Sequence, residues 1–213
     1  MLALLASLLL AASQFAVNGP IPNLDVVKRE IVQYYTSGQH DADVARVDAR
    51  MQTDVDARVR AGARKPAAVF DIDDTALSTF TYERAHDFGF DDVSWTSWER
   101  ADRFPAIVPT LRLAQHLAHE HIAIFFVTGR RAPERGVTLH ELALAGYPKP
   151  AGLYLRPVND HASSVIPFKS SSRAHIVALG YDIVASVGDQ WSDLRGGYAD
   201  SVYKLPNPMY YLP

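Results

Sequence analysis

The sequence predicts an α/β fold: a Rossmann-like parallel sheet covered by helices on both faces, with helices ahead of it and a small helical insert. Two observations predict it. Short unbroken apolar runs, Ala67-Ala68-Val69-Phe70, Ile122-Ala123-Ile124-Phe125-Phe126-Val127 and Ile183-Val184-Ala185-Ser186-Val187, alternate with helical patterns of ten or more residues. Strands that are apolar throughout are buried on both faces, as in sheets built from strand–helix–strand crossovers. Each run also ends abruptly in polar residues: Asp71-Ile72-Asp73-Asp74-Thr75, Thr128-Gly129-Arg130-Arg131 and Gly188-Asp189-Gln190-Trp191-Ser192-Asp193. Ligands of such sheets sit beyond the carboxyl ends of the strands, so three clusters distant in sequence are expected to meet on one edge.

Taken in order, the first 17 residues are an apolar run too short to span a bilayer, followed by small residues, and they predict a signal peptide. The usual basic start is missing, since no Lys or Arg precedes Lys28, and the competing reading is a buried N-terminal helix. From 18 to 213 one domain is expected, with helices over 23–64, a core over 65–213 and a cap-like insert over 78–109. In the first helices Leu24, Val27, Ile31 and Tyr34, then Val44, Val47, Met51, Val55 and Val59, recur every three or four residues, and Gly62 is a stop. Asp43, Arg46, Asp48, Arg50 and Asp54 are read as the solvated face.

The segment after the first strand carries Phe80, Tyr82, Phe88, Phe90, Trp95, Trp98 and Phe104. These rings are expected mainly to pack the insert onto the core, with stacking on a leaving group as the alternative. Pro109 suits the first turn of a helix reaching about residue 120, and Pro133 opens another that Gly146 closes. A short strand at Gly152-Leu153-Tyr154-Leu155, a helix after Lys169 ending near Gly180, and a last strand over 201–205 complete the pattern. His116 and His119 share a helix face, but with no strand-end carboxylate adjacent they are read as favourably placed at a helix C-terminus rather than as metal ligands.

Among 213 residues, 48% are hydrophobic and 21% charged, enough for one good core. A formal net charge of −3 shows no basic field and argues against a nucleic acid polymer as partner, while a small charged substrate is compatible. With no cysteine, a disulfide framework, a zinc-thiolate site and a Cys nucleophile are excluded. Beyond the leader nothing is apolar enough to cross a membrane.

Three carboxylates in four residues at Asp71, Asp73 and Asp74 repel one another, and a fold that gathers them needs a proton or a cation, most economically a hard divalent ion such as Mg²⁺. In order, Asp71-Ile72-Asp73-Asp74-Thr75, Val127-Thr128-Gly129-Arg130, Lys169 and Gly188-Asp189-Gln190-Trp191-Ser192-Asp193 resemble the four motifs of the haloacid dehalogenase (HAD) superfamily. The chain is most similar to the acid phosphatase branch (subfamily IIIB), which includes plant acid phosphatases and vegetative storage proteins. Ala145-Gly146-Tyr147, Phe168-Lys169-Ser170 and the ending Lys204-Leu205-Pro206-Asn207-Pro208-Met209-Tyr210-Tyr211 carry that closer likeness, from about residue 65 onward.

The resemblance implies a Mg²⁺-dependent acid phosphatase that hydrolyses small phosphomonoesters through an aspartyl-phosphate. Asp71 would be the nucleophile, and a carboxylate can approach a phosphate only if positive charge bridges the two anions. Asp73 would pass the proton and lend its backbone carbonyl to the metal. Asp189 and Asp193 would complete the metal site with Asp71, and Thr128, Gly129, Arg130 and Lys169 would hold the phosphate. For Arg130 an ion pair with a helix carboxylate is an equal alternative. Asp74 and Thr75 are read as a turn that supports the chemistry. The implied setting is secreted or periplasmic, and a homo-oligomer is compatible. The alternatives from other classes are a non-catalytic storage or binding protein on the same fold and a receiver-like phosphoacceptor module.

Overall fold

The computed structural model describes residues 21–213, so the predicted signal peptide lies outside the described residues. Five parallel strands form one sheet: β1 (Pro66–Phe70), β2 (Ala123–Arg131), β3 (Gly152–Arg156), β4 (Asp182–Gly188) and β5 (Val202–Lys204). Their order is β3-β2-β1-β4-β5, so the chain starts in the middle, builds outward on one side and then returns to build on the other. At the reversal β1 lies between β2 and β4, with Phe70 in register with both Phe126 and Val187. The ends of the three strands that carry the polar clusters are therefore neighbours.

The apolar runs alternate faces. Ala68, Phe70, Ile124 and Phe126 belong to the larger core cluster. Ala67, Val69, Phe125 and Val127 belong to a second cluster with Ile176 and Ile183 on the other face. Helix α7 (Ile166–Ala178) covers this second face. The larger face is covered by α2 (Gln39–Arg60) and α5 (Val108–His119), which also pack on each other. Ahead of them α1 (Leu24–Thr36) starts at Asn23, whose side chain accepts from the Asp25 and Val26 amides. The break between α1 and α2 falls at Gly38, whose φ of 81° lies where an L side chain is strained.

One residue read as solvated is not. Asp48 is 4% exposed and accepts a 3.0 Å hydrogen bond from Thr110 Oγ1 across the α2–α5 seam. Periodicity alone placed it with its charged neighbours, but α5 covers that edge of α2. Burial pushes the Asp48 carboxyl up to about 7, the Thr110 bond opposing only part of the shift.

The insert forms α3 (Phe80–Ala85) and α4 (Asp92–Arg100). Tyr82 is fully buried, edge-on to Trp95 at 5.0 Å and Trp98 at 5.6 Å, and Phe104 closes the cluster 5.0 Å from Trp95. Most of the rings thus pack the insert onto the core, whereas Phe90 is exposed. Between β2 and β3, a short 3-10 turn (Ala132–Glu134) leads into α6 (Arg135–Leu144). The four-residue α8 (Trp191–Leu194) follows β4. His116 lies 3.6 Å from Asp56 and His119 3.1 Å from Glu120.

Candidate active site

The chain leaves β1 through a turn with few degrees of freedom. Ile72 O accepts from the amides of Thr75, Ala76 and Leu77, and Asp74 stands at φ 57°, a left-handed conformation that Asp tolerates better than most residues. Asp74 is fixed by the Thr79 amide at 2.9 Å, by the Thr79 hydroxyl and by Tyr210 Oη at 2.7 Å. Tyr147 Oη donates to Ala76 O at 2.7 Å from the far side. Asp74 is thus part of the scaffold, as its reading as a turn residue anticipated, and the Ala145-Gly146-Tyr147 motif acquires a purpose: it holds the loop that presents Asp71 and Asp73.

Asp71 meets three residues from distant parts of the chain. Lys169 Nζ donates to Asp71 Oδ1 at 2.5 Å and to Asp193 Oδ1 at 2.6 Å, with all three residues buried. Lys169 was expected ahead of its helix; it lies within the first turns of α7, which fixes its approach to the sheet edge. One carboxylate oxygen from each of Asp71, Asp189 and Asp193 comes within 4.8 Å of the others. Asp189 is oriented by Thr75 Oγ1 at 3.2 Å, Gln190 Nε2 at 2.8 Å and Asn207 Nδ2 at 2.7 Å. Asp193 Oδ2 accepts the Gln190 amide at 2.7 Å. Gly188 is required by this packing, because a Cβ there would stand 2.4 Å from Asp193 Cβ and 2.6 Å from its Oδ2.

The electrostatics follow from three buried carboxylates and one buried ammonium. Burial raises the Asp71 carboxyl well above its ordinary range, offset in part by Lys169. Burial also pushes Asp189 up to about 7, with Asp193 and Asp74 adding to it. Lys169 is desolvated too, but Asp193 and Asp71 outweigh that cost and hold its pKa above the usual value. Buried, oxygen-donating and faced by a single ammonium, the three carboxylates fit a hard divalent cation better than a soft one.

On the other side of Asp71, β2 was expected to stop at Val127 but runs on to Arg131, with a break in its pairing to β3 between Thr128 and Arg131. The break lifts Gly129 into exposure and turns Arg130 inward. Thr128 Oγ1 accepts the Arg130 amide at 3.1 Å, so its hydroxyl proton is left to donate elsewhere while that amide is already taken. The Arg130 side chain is 1% exposed. Its Nε and Nη2 grip Asp73 at 2.7–3.1 Å, its Nη1 donates to Glu141 Oε2 at 2.5 Å, and Glu99 Oε1 lies 3.2 Å from Nε. The ion-pair alternative for Arg130 is the one observed, and Asp73 is among its partners. Burial pushes both Glu99 and Glu141 up to about 7, with Arg130 opposing.

A sequence model of the HAD superfamily, subfamily IIIB (acid phosphatase), matches residues 6–213. The chain belongs to this family. It is 38% identical over 148 residues to Acid phosphatase 1 of Solanum lycopersicum, covering 68% of this chain and 58% of that protein. It is 34% identical to the Stem 28 kDa glycoprotein of Glycine max, covering 70% and 61%, and to Vegetative storage protein 1 of Arabidopsis thaliana, covering 68% and 55%. The chain therefore spans less than two thirds of the length of these relatives. Among solved structures, the Class C acid phosphatase from Bacillus anthracis superposes with a TM-score of 0.74 at 20% identity, covering 88% of this chain and 86% of that one, which establishes the same fold.

Within this subfamily IIIB member, the predicted residues fall into two groups. Asp71, Lys169, Asp189 and Asp193 converge, with Thr128 and Gly129 at the adjoining strand end. Asp73 and Arg130 form a separate pair beside them. The receiver-like alternative is set aside by the family match. Sequence reading gave no role to Asn207, Gln190, Tyr210, Glu99 or Glu141. Asn207 and Tyr210 lie in the terminal motif quoted for the resemblance, the one signal that pointed to them; the two glutamates carried none.

Proposed function

We propose that the chain is an acid phosphatase that hydrolyses small phosphomonoesters through an aspartyl-phosphate on Asp71, with Mg²⁺ as its cofactor. The observation that carries this reading is the convergence of Asp71, Asp189, Asp193 and Lys169 within hydrogen-bonding or ligand-sharing distance at one sheet edge. Asp71, Asp189 and Asp193 would hold the ion with the backbone carbonyl of Asp73, whose side chain pairs with Arg130 and keeps an open side. Bound there, Mg²⁺ supplies the positive charge that lets a carboxylate approach a phosphate.

The remaining steps belong to the chain itself. Lys169 screens Asp71 from the incoming anion and follows the charge as it shifts onto the phosphoryl oxygens. The Thr128 hydroxyl and the Gly129 amide donate to those oxygens. Asp73 gives a proton to the departing alcohol as the ester P–O bond breaks and the Asp71–P bond forms. It then takes a proton from the water that cleaves the Asp71–P bond and releases phosphate. A secreted or periplasmic setting is part of the proposal and rests on the apolar leader; no helix among the described residues is long and apolar enough to cross a membrane. Some relatives bear the name vegetative storage protein, but retention of Asp71 with its Lys169 contact favours turnover over storage.

The test is Asp71→Asn, assayed on an aryl phosphate with Mg²⁺. Turnover is expected to fall at least 10³-fold with an unchanged circular-dichroism spectrum, since the nucleophile is lost. Turnover equal to the parent's overturns the mechanism.

A further inference from the structure

The Arg130 cluster has more anchors than a simple ion pair needs. Its guanidinium is held on one side by Asp73 and on another by Glu141, at 2.5 Å from Nη1, with Thr138 Oγ1 also 3.4 Å from Nη1. From the insert, Glu99 faces Nε at 3.2 Å, and the Phe104 ring lies 5.7 Å from the guanidinium carbon. Glu99, Glu141 and Arg130 have side chains at most 1% exposed, whereas Asp73 retains 18%. The one member with an open side is the residue to which the proposed function gives the proton. A guanidinium hydrogen-bonded to Asp73 in the turn after β1 and to Glu141 in α6, with Glu99 of α4 in close charge contact, is held away from a substrate phosphate and presents a bidentate edge to Asp73 in a single orientation.

We infer that Glu141 and Glu99 are positioning residues for Asp73: acting through Arg130, they set the angle at which its carboxyl faces the leaving group, and Glu99 makes seating of the insert a condition for that alignment. The inference rests on the proposed phosphatase reading and deepens it. Its physical content is selective. An alkoxide leaves badly without a proton, whereas a nitrophenolate leaves well without one, so misaligning the acid lowers kcat/KM on alkyl phosphates and spares it on aryl phosphates; the later hydrolysis of the aspartyl-phosphate, common to both, enters kcat but not kcat/KM. A role in stability alone would lower the melting temperature and leave the ratio of the two rates where it was. A role for Arg130 as a phosphate clamp would raise KM on both substrates alike.

The experiment compares kcat and KM on glycerol phosphate and on 4-nitrophenyl phosphate, with Mg²⁺, for the parent, Asp73→Asn, Glu141→Met, Glu141→Gln and Glu99→Met. Asp73→Asn fixes the size of the acid's contribution, on the order of 10²–10⁴-fold on the alkyl substrate. For Glu141→Met a fall in kcat/KM of about 10–100-fold on glycerol phosphate is expected, with less than about 3-fold on the aryl ester. Glu141→Gln, which keeps an acceptor for Nη1, should return most of the alkyl rate. Glu99→Met reads the same ratio from the insert side and serves if Glu141→Met does not fold. Equal losses of kcat/KM on both substrates, or an unchanged alkyl kcat/KM in folded variants, overturns the inference while leaving the phosphatase reading in place. A parent inactive on both esters overturns that reading and the inference with it.

Discussion

Replacing Asp48 by Asn should stabilise the protein at neutral pH and do little at pH 4. Asp48 is 4% exposed, and burial lifts its carboxyl from an ordinary 3.8 to about 7. The folded chain therefore binds this proton more tightly than the unfolded chain does. Below about pH 4 both states are protonated and the group costs nothing. As pH rises from about 4 to about 7 the unfolded state ionises freely while the folded state resists, so stability falls, and above 7 the penalty is constant. A shift of roughly 3 pKa units at about 1.4 kcal/mol each gives a ceiling of about 4 kcal/mol. Local relaxation around a buried carboxyl reduces that to roughly 2–3 kcal/mol. In a chain of this size that corresponds to a gain of about 5–10 °C in Tm at pH 7.5. Asn keeps an acceptor for Thr110 Oγ1 and every other titrating group is shared, so the difference between variant and parent isolates Asp48. The assay is thermal unfolding of both proteins between pH 4 and 8. A ΔTm that does not change with pH, or a variant less stable at pH 7.5 than at pH 4 relative to the parent, refutes the reasoning.

Gly188→Ala should cut turnover of an aryl phosphate by at least about 100-fold and destabilise the chain by about 1–3 kcal/mol, because the new methyl lands 2.4 Å from Asp193 Cβ; parent-like activity in steady-state kinetics would show that Asp193 can move without consequence. Mg²⁺ should raise Tm in the absence of substrate, by roughly 3 kcal/mol of stability at a hundredfold excess over Kd. Asp189→Asn should remove that response, and calorimetry in EDTA against Mg²⁺ checks both; a response that survives the substitution places the ion elsewhere.

The sheet was legible because a parallel sheet buried on both faces leaves a direct imprint: Ala67 to Phe70, the run before Thr128 and the run before Gly188 are apolar at every position or nearly so. Asp74 was legible as a turn residue because a short polar side chain suits local bonds, and it accepts from the Thr79 amide; Thr75, read the same way, instead donates its hydroxyl to Asp189, 114 positions on. What the sequence left open depended on tertiary neighbours. Asp48 has the same local pattern as Asp43 and Asp54 and differs from them only because α5 lies across it. Arg130 followed Thr128 and Gly129 into a site read as phosphate-binding, yet the break in β2 pairing turns it toward Glu141, eleven positions away and on another element. Glu99 carried no signal of its own. No periodicity marks a glutamate as the partner of an arginine on another element.

The two clusters at the sheet edge have the same formal composition, three carboxylates and one basic side chain, and their hydrogen bonding separates them. Around Asp189 and Asp193 the donors are plentiful: Thr75, Gln190, Asn207, Lys169 and a backbone amide all point at carboxylate oxygens. Donors aimed at a carboxylate favour its ionised form, so the site is arranged to keep its charge even though burial alone pushes Asp189 up to about 7. Around Arg130 both oxygens of Glu99 and one of Glu141 have no hydrogen bond among the described residues. Carboxyls left in that state are cheaper neutral than charged, and burial pushes both up to about 7. On the proposed reading a divalent ion would offset the charge of the Asp189 cluster, while protons on Glu99 and Glu141 would leave Arg130 paired with Asp73, so the two clusters balance their charge by different means.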